Sequence, residues 1–475
     1  MGQREIDWGQ IQRWDEKYYL HVKQAAKEYK FLPVSHTEGN YVHLVGGHKV
    51  LDFVSQIIGA NLGYRHPRVT AAIKEAADKI GFVQELFCTE YRSRAAKLIL
   101  EDILGADGWA GRMRFVNTGS EANEHAFAIA KQVTGRPNIV TREYAYHGST
   151  SGAAGASRNR FYRSSFACPD SGEIRDVPNF PGTGFHIVPA PYCYRCSLGH
   201  SYPSCKQADG RLACILASEN LIRTLGPETV AAFVTEIFYG GSCIHPPPEY
   251  VPQLREMTRR LGILWIDDEV VCGFGRCGKW FAYQLYEGVT PDIMTIGKGM
   301  NGCALPGGAV ILSKKIAEEV GRYRYWTGST HAGHPIVAAS VAAAVEFMLE
   351  ANIPRVAAEK GVVLAEKLQW LQREHPCVGL VQSVGLLGGF EVVKDRKTKK
   401  PFVEEDRFAT FAGDISRYPE VMISQRCFLN GVMVGSNVPN AIRVAPPLTI
   451  RDEEMEWGFE VLHKVLGEID EMCDR

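Results

Sequence analysis

The stretch LGILWIDDEV, residues 261–270, decides the fold. An apolar run from Leu261 to Ile266 stops abruptly at three consecutive acids, Asp267, Asp268 and Glu269. Similar short apolar runs stand at RMRFVN (112–117), AAFVTE (231–236), DIMTIG (292–297) and GAVILS (308–313). Helical periodicity follows several of them, with Ala122, Ala126, Phe127, Ala130 and Val133 marking one face after the first. Strands that alternate with helices imply an α/β domain whose mainly parallel sheet is covered on both faces. Ligands of such sheets bind beyond the carboxyl ends of the strands. The residues that end the runs are therefore the candidates for chemistry.

Outward from this block, residues 1–60 combine an amphipathic start (Ile11 to Tyr29) with strand-like pieces such as YVHLV (41–45). They read as an N-terminal segment of a small domain. Residues 61–333 form the large domain. A loop-rich section from about Ser151 to Gly210 is functional or subunit-bridging on length grounds. Residues 334–475 form the rest of the small domain: helical patterning from His334 to about Arg373, a strand-like GLLGGFEVV (385–393), and an amphipathic helix from Asp452 to Ile469.

Composition narrows the class. The chain has 475 residues, 45% hydrophobic, enough for a large core. Lys plus Arg (53) balances Asp plus Glu (54), so no basic field for nucleic acid exists. No 18-residue apolar run and no apolar leader is present, so neither a membrane span nor export is expected. Thirteen cysteines without an export signal point to free thiols in a reducing cytosol.

Five clusters carry candidate chemistry. In NTGSEANE (117–124) a strand ends, Thr118 and Glu121 fit a capping box, and the amides of a helix start form an anion site beside Gly119 and Ser120. An ordinary capped helix is the plainer alternative. Tyr146 and His147 begin a loop, where an aromatic could stack on a planar ring or simply pack. The acids of 267–269 could pair with a protonated pyridine nitrogen, bind a metal or cap a helix. Lys298 lies between Gly297 and Gly299, where desolvation would make it a nucleophilic amine. The polar loop GSTHAGHP (328–335) precedes a helix.

The order and spacing of these clusters resemble the class III, ω-amino acid type aminotransferases, fold-type I pyridoxal-phosphate enzymes. The matching stretches are NTGSEANEHAFAIAK (117–131), YHGST (146–150), IDDEVVCGFGRCGKWFA (266–282), PDIMTIGKGM (291–300), GSTHAGHP (328–335) and IRVAPPL (442–448). The resemblance implies a large domain with a mostly parallel seven-stranded sheet, a small domain built from both termini, and an obligate homodimer. It implies Lys298 as the Schiff-base lysine and proton carrier, and Asp268 on the pyridine nitrogen. Tyr146 would stack on the ring with His147 beside it, and Val270 would pack on the opposite face. Thr118, Gly119 and Ser120 would form the phosphate cup. Thr330 would reach the phosphate across the dimer interface, Glu236 would stand near the 3-oxygen edge, and Arg443 would bind carboxylate. No metal ion is implied.

Two departures from that pattern narrow the substrate. Ser149 stands where relatives acting on 4-aminobutyrate or ornithine usually carry Arg, and Gly241 replaces the Glu that neutralises their switch arginine. With the insertion PYCYRCSLGHSYPSC (191–205), these features favour a primary ω-amine donor such as taurine, β-alanine or a related β-amino acid, with pyruvate as acceptor. Acceptance by 2-oxoglutarate, an aminomutase and a non-catalytic binding protein are the alternatives. Arg158, Arg160 and Arg163 read as a solvated basic loop. Cys193, Cys196, Cys205 and Cys214, with His200 between them, are either free thiols or a structural zinc site.

Overall fold

The computed structural model describes residues 6–22, 29–158, 166–167, 174–175, 183–241, 244–403, 418–437 and 440–474. Its centre is a seven-stranded sheet. In chain order the strands are β1 (Ala110–Val116), β2 (Asn138–Arg142), β3 (Phe185–Val188), β4 (Val230–Thr235), β5 (Leu264–Asp268), β6 (Ile293–Gly297) and β7 (Gly308–Ser313). Their order in space is β1-β7-β6-β5-β4-β2-β3. β7 runs antiparallel to both β1 and β6, while β6, β5, β4, β2 and β3 pair in parallel.

The strands are apolar on both faces because both faces are covered. Val234, Ile266, Ile293 and Val310 pack with Ala126, Phe127 and Ala130 of helix Gly119–Thr134. Their sequence neighbours Phe233, Trp265, Met294 and Ile311 point the other way, into the cluster that holds Leu254 and Met257 of helix Tyr250–Leu261. This period of two, apolar at every position, is the mark of a doubly covered parallel sheet.

Two smaller sheets flank the large one. Strands Val34–Glu38, Tyr41–Leu44 and Lys49–Asp52 form a meander that Val432–Met433 joins in parallel, so the two ends of the chain share one sheet. Strands Val378–Val384, Leu387–Asp395, Ala441–Val444 and Gly435–Asn437 form an antiparallel sheet, with Lys400–Pro401 on its side. Helices Pro335–Glu350 and Ile353–Glu374 divide between the parts: the first packs on helices Pro67–Lys79 and Glu90–Lys97, the second on the antiparallel sheet. The amphipathic start forms a helix only from Trp8 to Tyr18; Tyr19 is extended, and residues 23–28 lie outside the described residues. No single described helix is long and apolar enough to cross a membrane.

Candidate active site

Because β1, β2, β4, β5 and β6 all run the same way, their carboxyl ends meet at one edge of the sheet. That edge receives Asn117 to Ser120 after β1, Tyr146 and His147 after β2, Glu236 after β4, Asp268 at the end of β5 and Lys298 after β6.

Asp268 is 3% exposed, and both its oxygens accept hydrogen bonds. Oδ2 accepts from Asn123 Nδ2 (2.8 Å) and from His147 Nδ1 (2.7 Å), and Oδ1 accepts from the Val270 amide (3.1 Å). Asn123 also donates to His147 O (2.8 Å), and its Oδ1 accepts from Thr295 Oγ1 (3.1 Å). A buried carboxylate held in place by donors on this side suits a protonated ring nitrogen as its further partner. Its two acidic neighbours turn to the opposite face. Asp267 and Glu269 are both buried, and their carboxyls interact with each other.

Lys298 stands in a short 3₁₀ turn with φ +38°, a strained value for a residue with a side chain. Burial pushes its ammonium pKa down, and Arg443 pushes the same way; Cys303, Glu236 and Asp268 oppose them. The acid, the base and the distant arginine therefore share one electrostatic environment. Arg443 comes from strand Ala441–Val444 of the antiparallel sheet, lies against Gly435, and donates from Nη1 to Gly240 O (3.0 Å).

Glu236 is buried, and desolvation raises its pKa. Its Oε1 accepts from the Tyr146 amide (2.9 Å) and Oε2 from the Gly240 amide (3.2 Å). Arg142, 2% exposed, donates to the Glu236 carbonyl from behind. Val270 is wedged between two glycines: a Cβ on Gly119 would lie 2.9 Å from both Val270 methyls, and one on Gly297 would lie 3.4 Å from Cγ1. Thr118 caps helix Gly119–Thr134 by accepting from the Glu121 amide (3.1 Å). Gly119 and Ser120 begin that helix, where amides have no intrahelical acceptor. Glu121 reaches back to the Asn117 amide (2.9 Å), one residue beyond the N-cap amide of the expected capping box. Ser120 Oγ accepts from the Ser149 amide (3.3 Å).

Thr330 is exposed on a loop whose Ser329 Oγ accepts from Asn117 Nδ2 (2.6 Å). The single chain does not bring Thr330 into the set. Sequence reasoning passed over Asn123, Arg142 and Cys303. Asn123 was visible in principle as a polar residue at a core-facing position of an otherwise apolar helix stripe. Cys303 had no signal, because its neighbourhood depends on Gly59: a Cβ there would collide with the Cys303 sulfur and lie 3.7 Å from Lys298 Cγ.

Arg160 and Arg163 lie outside the described residues, as do Ser242 and Cys243. Cys193, Cys196, Cys205 and Cys214 line one cavity with His200 and Tyr202. None of the four is in a disulfide. Burial, with the neighbouring thiols adding to it, pushes Cys193 up to about 11 and Cys214 to about 12.

A desolvated lysine, a buried carboxylate, a helix start and an apolar wedge at the carboxyl edge of a seven-stranded sheet define a pyridoxal-phosphate-dependent enzyme of fold type I. The model of the family "Aminotransferase class-III" matches residues 23–466. A putrescine–pyruvate aminotransferase of Pseudomonas aeruginosa is 30% identical over 92% of this chain and 90% of its own. An S-selective transaminase from Arthrobacter sp., solved with alanine bound, is 40% identical over 98% of this chain and 99% of its own, with a TM-score of 0.93. The taurine:2-oxoglutarate aminotransferase of Bifidobacterium kashiwanohense, in complex with PLP and glutamate, is 28% identical over 98% of this chain and 99% of its own, with a TM-score of 0.85. The chain belongs to the class-III aminotransferases, and its cofactor is pyridoxal phosphate.

Proposed function

We propose that this enzyme moves the amino group of a primary ω-amine (taurine, β-alanine or a related β-amino acid) to pyruvate in a ping-pong sequence. The observation that carries the reading is at Gly241. A Cβ there would collide with the outer end of the Tyr239 side chain, so the glutamate usual in the dicarboxylate-handling relatives would require that side chain to move. At position 149 the guanidinium of those relatives is likewise replaced by an exposed serine. Carboxylate recognition then falls to Arg443, which approaches from the antiparallel sheet and lies within the electrostatic reach of Lys298. The likeness to an enzyme named for putrescine and pyruvate, and to one solved with alanine, the amine form of pyruvate, supports the same pairing.

The residues fit the cofactor. Thr118, Gly119 and Ser120 would hold its phosphate, Asp268 its ring nitrogen, and Tyr146 and Val270 the two faces of its ring. Glu236 would border its 3-oxygen edge, and Lys298 would carry it. When bound, pyridoxal phosphate supplies a carbonyl that takes up the amine and a ring that delocalises the electrons a departing proton leaves. The chain does the rest. Lys298 Nζ, its pKa lowered by desolvation, takes the proton from the carbon that bears nitrogen and returns it on the acceptor half. His147 and Asn123 fix the Asp268 carboxylate in place. Arg443 orients the acid end of the acceptor. The active form is a homodimer, with Thr330 completing the partner's phosphate cup.

An amine-donor panel against pyruvate and 2-oxoglutarate tests this. The expected result is turnover of ω-amines with pyruvate and parallel double-reciprocal lines. Turnover with 2-oxoglutarate alone would transfer the chain to the acceptor class named for the taurine enzyme. Migration of nitrogen within one molecule, without an acceptor, would make it an aminomutase.

A further inference from the structure

We propose a second, independent site: a divalent transition-metal site formed by His36, Glu38 and His43 on the outer face of the N-terminal hairpin. The donor atoms of these three residues lie within 4.8 Å of one another. Among the described residues they are the set of three His, Cys, Asp or Glu donors that meets this spacing. The four thiols around His200 share a cavity without converging in that way.

The backbone explains the convergence. Strands Val34–Glu38 and Tyr41–Leu44 are joined by the two-residue turn Gly39–Asn40, with φ +53° at Gly39. His36 faces His43 directly across the ladder, and Glu38 faces Tyr41. Alternation puts His36, Glu38, Tyr41 and His43 on one face, while Thr37 and Val42 point inward and are less exposed. Opposite residues of an antiparallel pair have close Cβ atoms, so two imidazoles meet and a carboxylate two residues along reaches the same point. The two rings stack with centroids 4.2 Å apart.

Ser35 Oγ donates to His43 O (2.9 Å) and lies 3.1 Å from His36 Nδ1, so one serine links the two histidine residues. Lys49, the charged group that faces His43 from the next strand, rests over the Tyr41 ring, 3.7 Å from its centroid.

Two imidazoles and one carboxylate, with no sulfur, suit Zn²⁺, Ni²⁺, Co²⁺ or Cu²⁺. Three protein ligands leave the remaining positions to water. The ion would clamp the edge strand Val34–Glu38 to its neighbour and is not needed for amino transfer, so activity is not the readout.

The test is calorimetric titration of the pyridoxal-phosphate-loaded enzyme with Ni²⁺. Native protein should bind one more ion per chain than the His36→Ala/His43→Ala variant, and Glu38→Gln should weaken that ion roughly tenfold or more. The three side chains are outward-facing, so each variant should keep the metal-free melting temperature. Identical titrations of native protein and the double variant would overturn the site. Unchanged affinity in Glu38→Gln would remove the carboxylate from it. Co²⁺ spectra dominated by thiolate charge transfer would overturn it by assigning the ion to the cysteine cavity.

Discussion

At the residue scale the chemistry rests on a few side chains whose neighbours decide their behaviour. Under the proposed function Lys298 is the nucleophile and proton carrier, so Lys298→Ala should lower turnover by about 10²–10⁴-fold or more and abolish the visible absorbance of the bound cofactor. Retained turnover in that variant would refute the assignment. Asn123 is a different case. It donates to both Asp268 and His147 O and accepts from Thr295. Asn123→Ala would leave three buried polar groups short of a partner, at a cost of about 1–3 kcal/mol each where no water replaces it. We expect a lower melting temperature together with weaker cofactor retention on dialysis. Asn123→Asp would place a second carboxyl beside Asp268 and should be worse. His147 holds the same carboxylate through Nδ1 (2.7 Å), and its Nε2 is buried with no hydrogen-bond partner among the described residues. Lys298 and Asp268 were legible from the ends of apolar runs and from family order. Asn123 was not, because a polar residue on a helix face announces a partner without naming it.

At the scale of elements, the end of β5 sorts three adjacent carboxyls by the alternation of a strand. Asp268 turns toward the site, while Asp267 and Glu269 turn away into the core and face each other. Sequence alone shows three acids at a strand end and leaves metal binding and capping open; only the pleat separates their roles. Burial raises both inner carboxyls, Glu269 to about 8, with the mutual repulsion of the pair adding to it for Asp267. Arg142 is the cation that pulls Asp267 down; Asp268, Tyr283 and Tyr286 surround the pair. The sign follows from linkage. The folded state holds these protons more tightly than the unfolded chain does, so their contribution is full at low pH. It is lost as pH rises from the ordinary carboxyl range through about 8. Asp267→Asn removes one of the two titrations. Its denaturation midpoint should therefore fall less steeply than the native one between pH 6 and 8.5. Parallel slopes would show that the pair does not titrate in that range. A second element-scale device is the glycine wedge. Gly119→Ala would put a methyl 2.9 Å from the Val270 methyls at the first turn of helix Gly119–Thr134, the proposed phosphate site. Cofactor affinity should drop by roughly tenfold with little change in the sheet.

At the scale of the whole molecule, the large sheet was readable because five of its strands are apolar runs followed by helical patterns or turns. The outer strand Phe185–Val188 was not, since it is short and half-exposed and lies within a loop-rich stretch. The parallel pairing of Val432–Met433 with Lys49–Asp52 was equally hidden, because nothing local signals a partner some 380 residues away. Under the proposed dimer, a second subunit would cover the surface near the start of helix Gly119–Thr134. Phe82 (46% exposed), Leu86 (87%), Phe87 (59%), Tyr323 (70%) and Trp326 (86%) are all uncovered in the single chain. The Phe82 ring touches His331 and His334, so this apolar surface is continuous with the Thr330 loop. Arg114 and Asn117, at the end of β1, tie the same loop down through Gly328 O (3.4 Å) and Ser329 Oγ (2.6 Å). Large apolar groups gathered beside a polar loop are what an obligate interface buries. Leu86→Glu with Trp326→Glu places two charges where the partner's apolar surface would come. Sedimentation should show the native enzyme as a dimer and the double variant as a monomer. If Thr330 completes the partner's phosphate cup, that monomer should also lose cofactor in parallel with its dissociation, whereas Thr330→Val should weaken cofactor binding and leave the dimer intact. A double variant that stays dimeric would place the subunit contact elsewhere. A monomer that keeps full cofactor affinity would show that each chain builds its phosphate site alone.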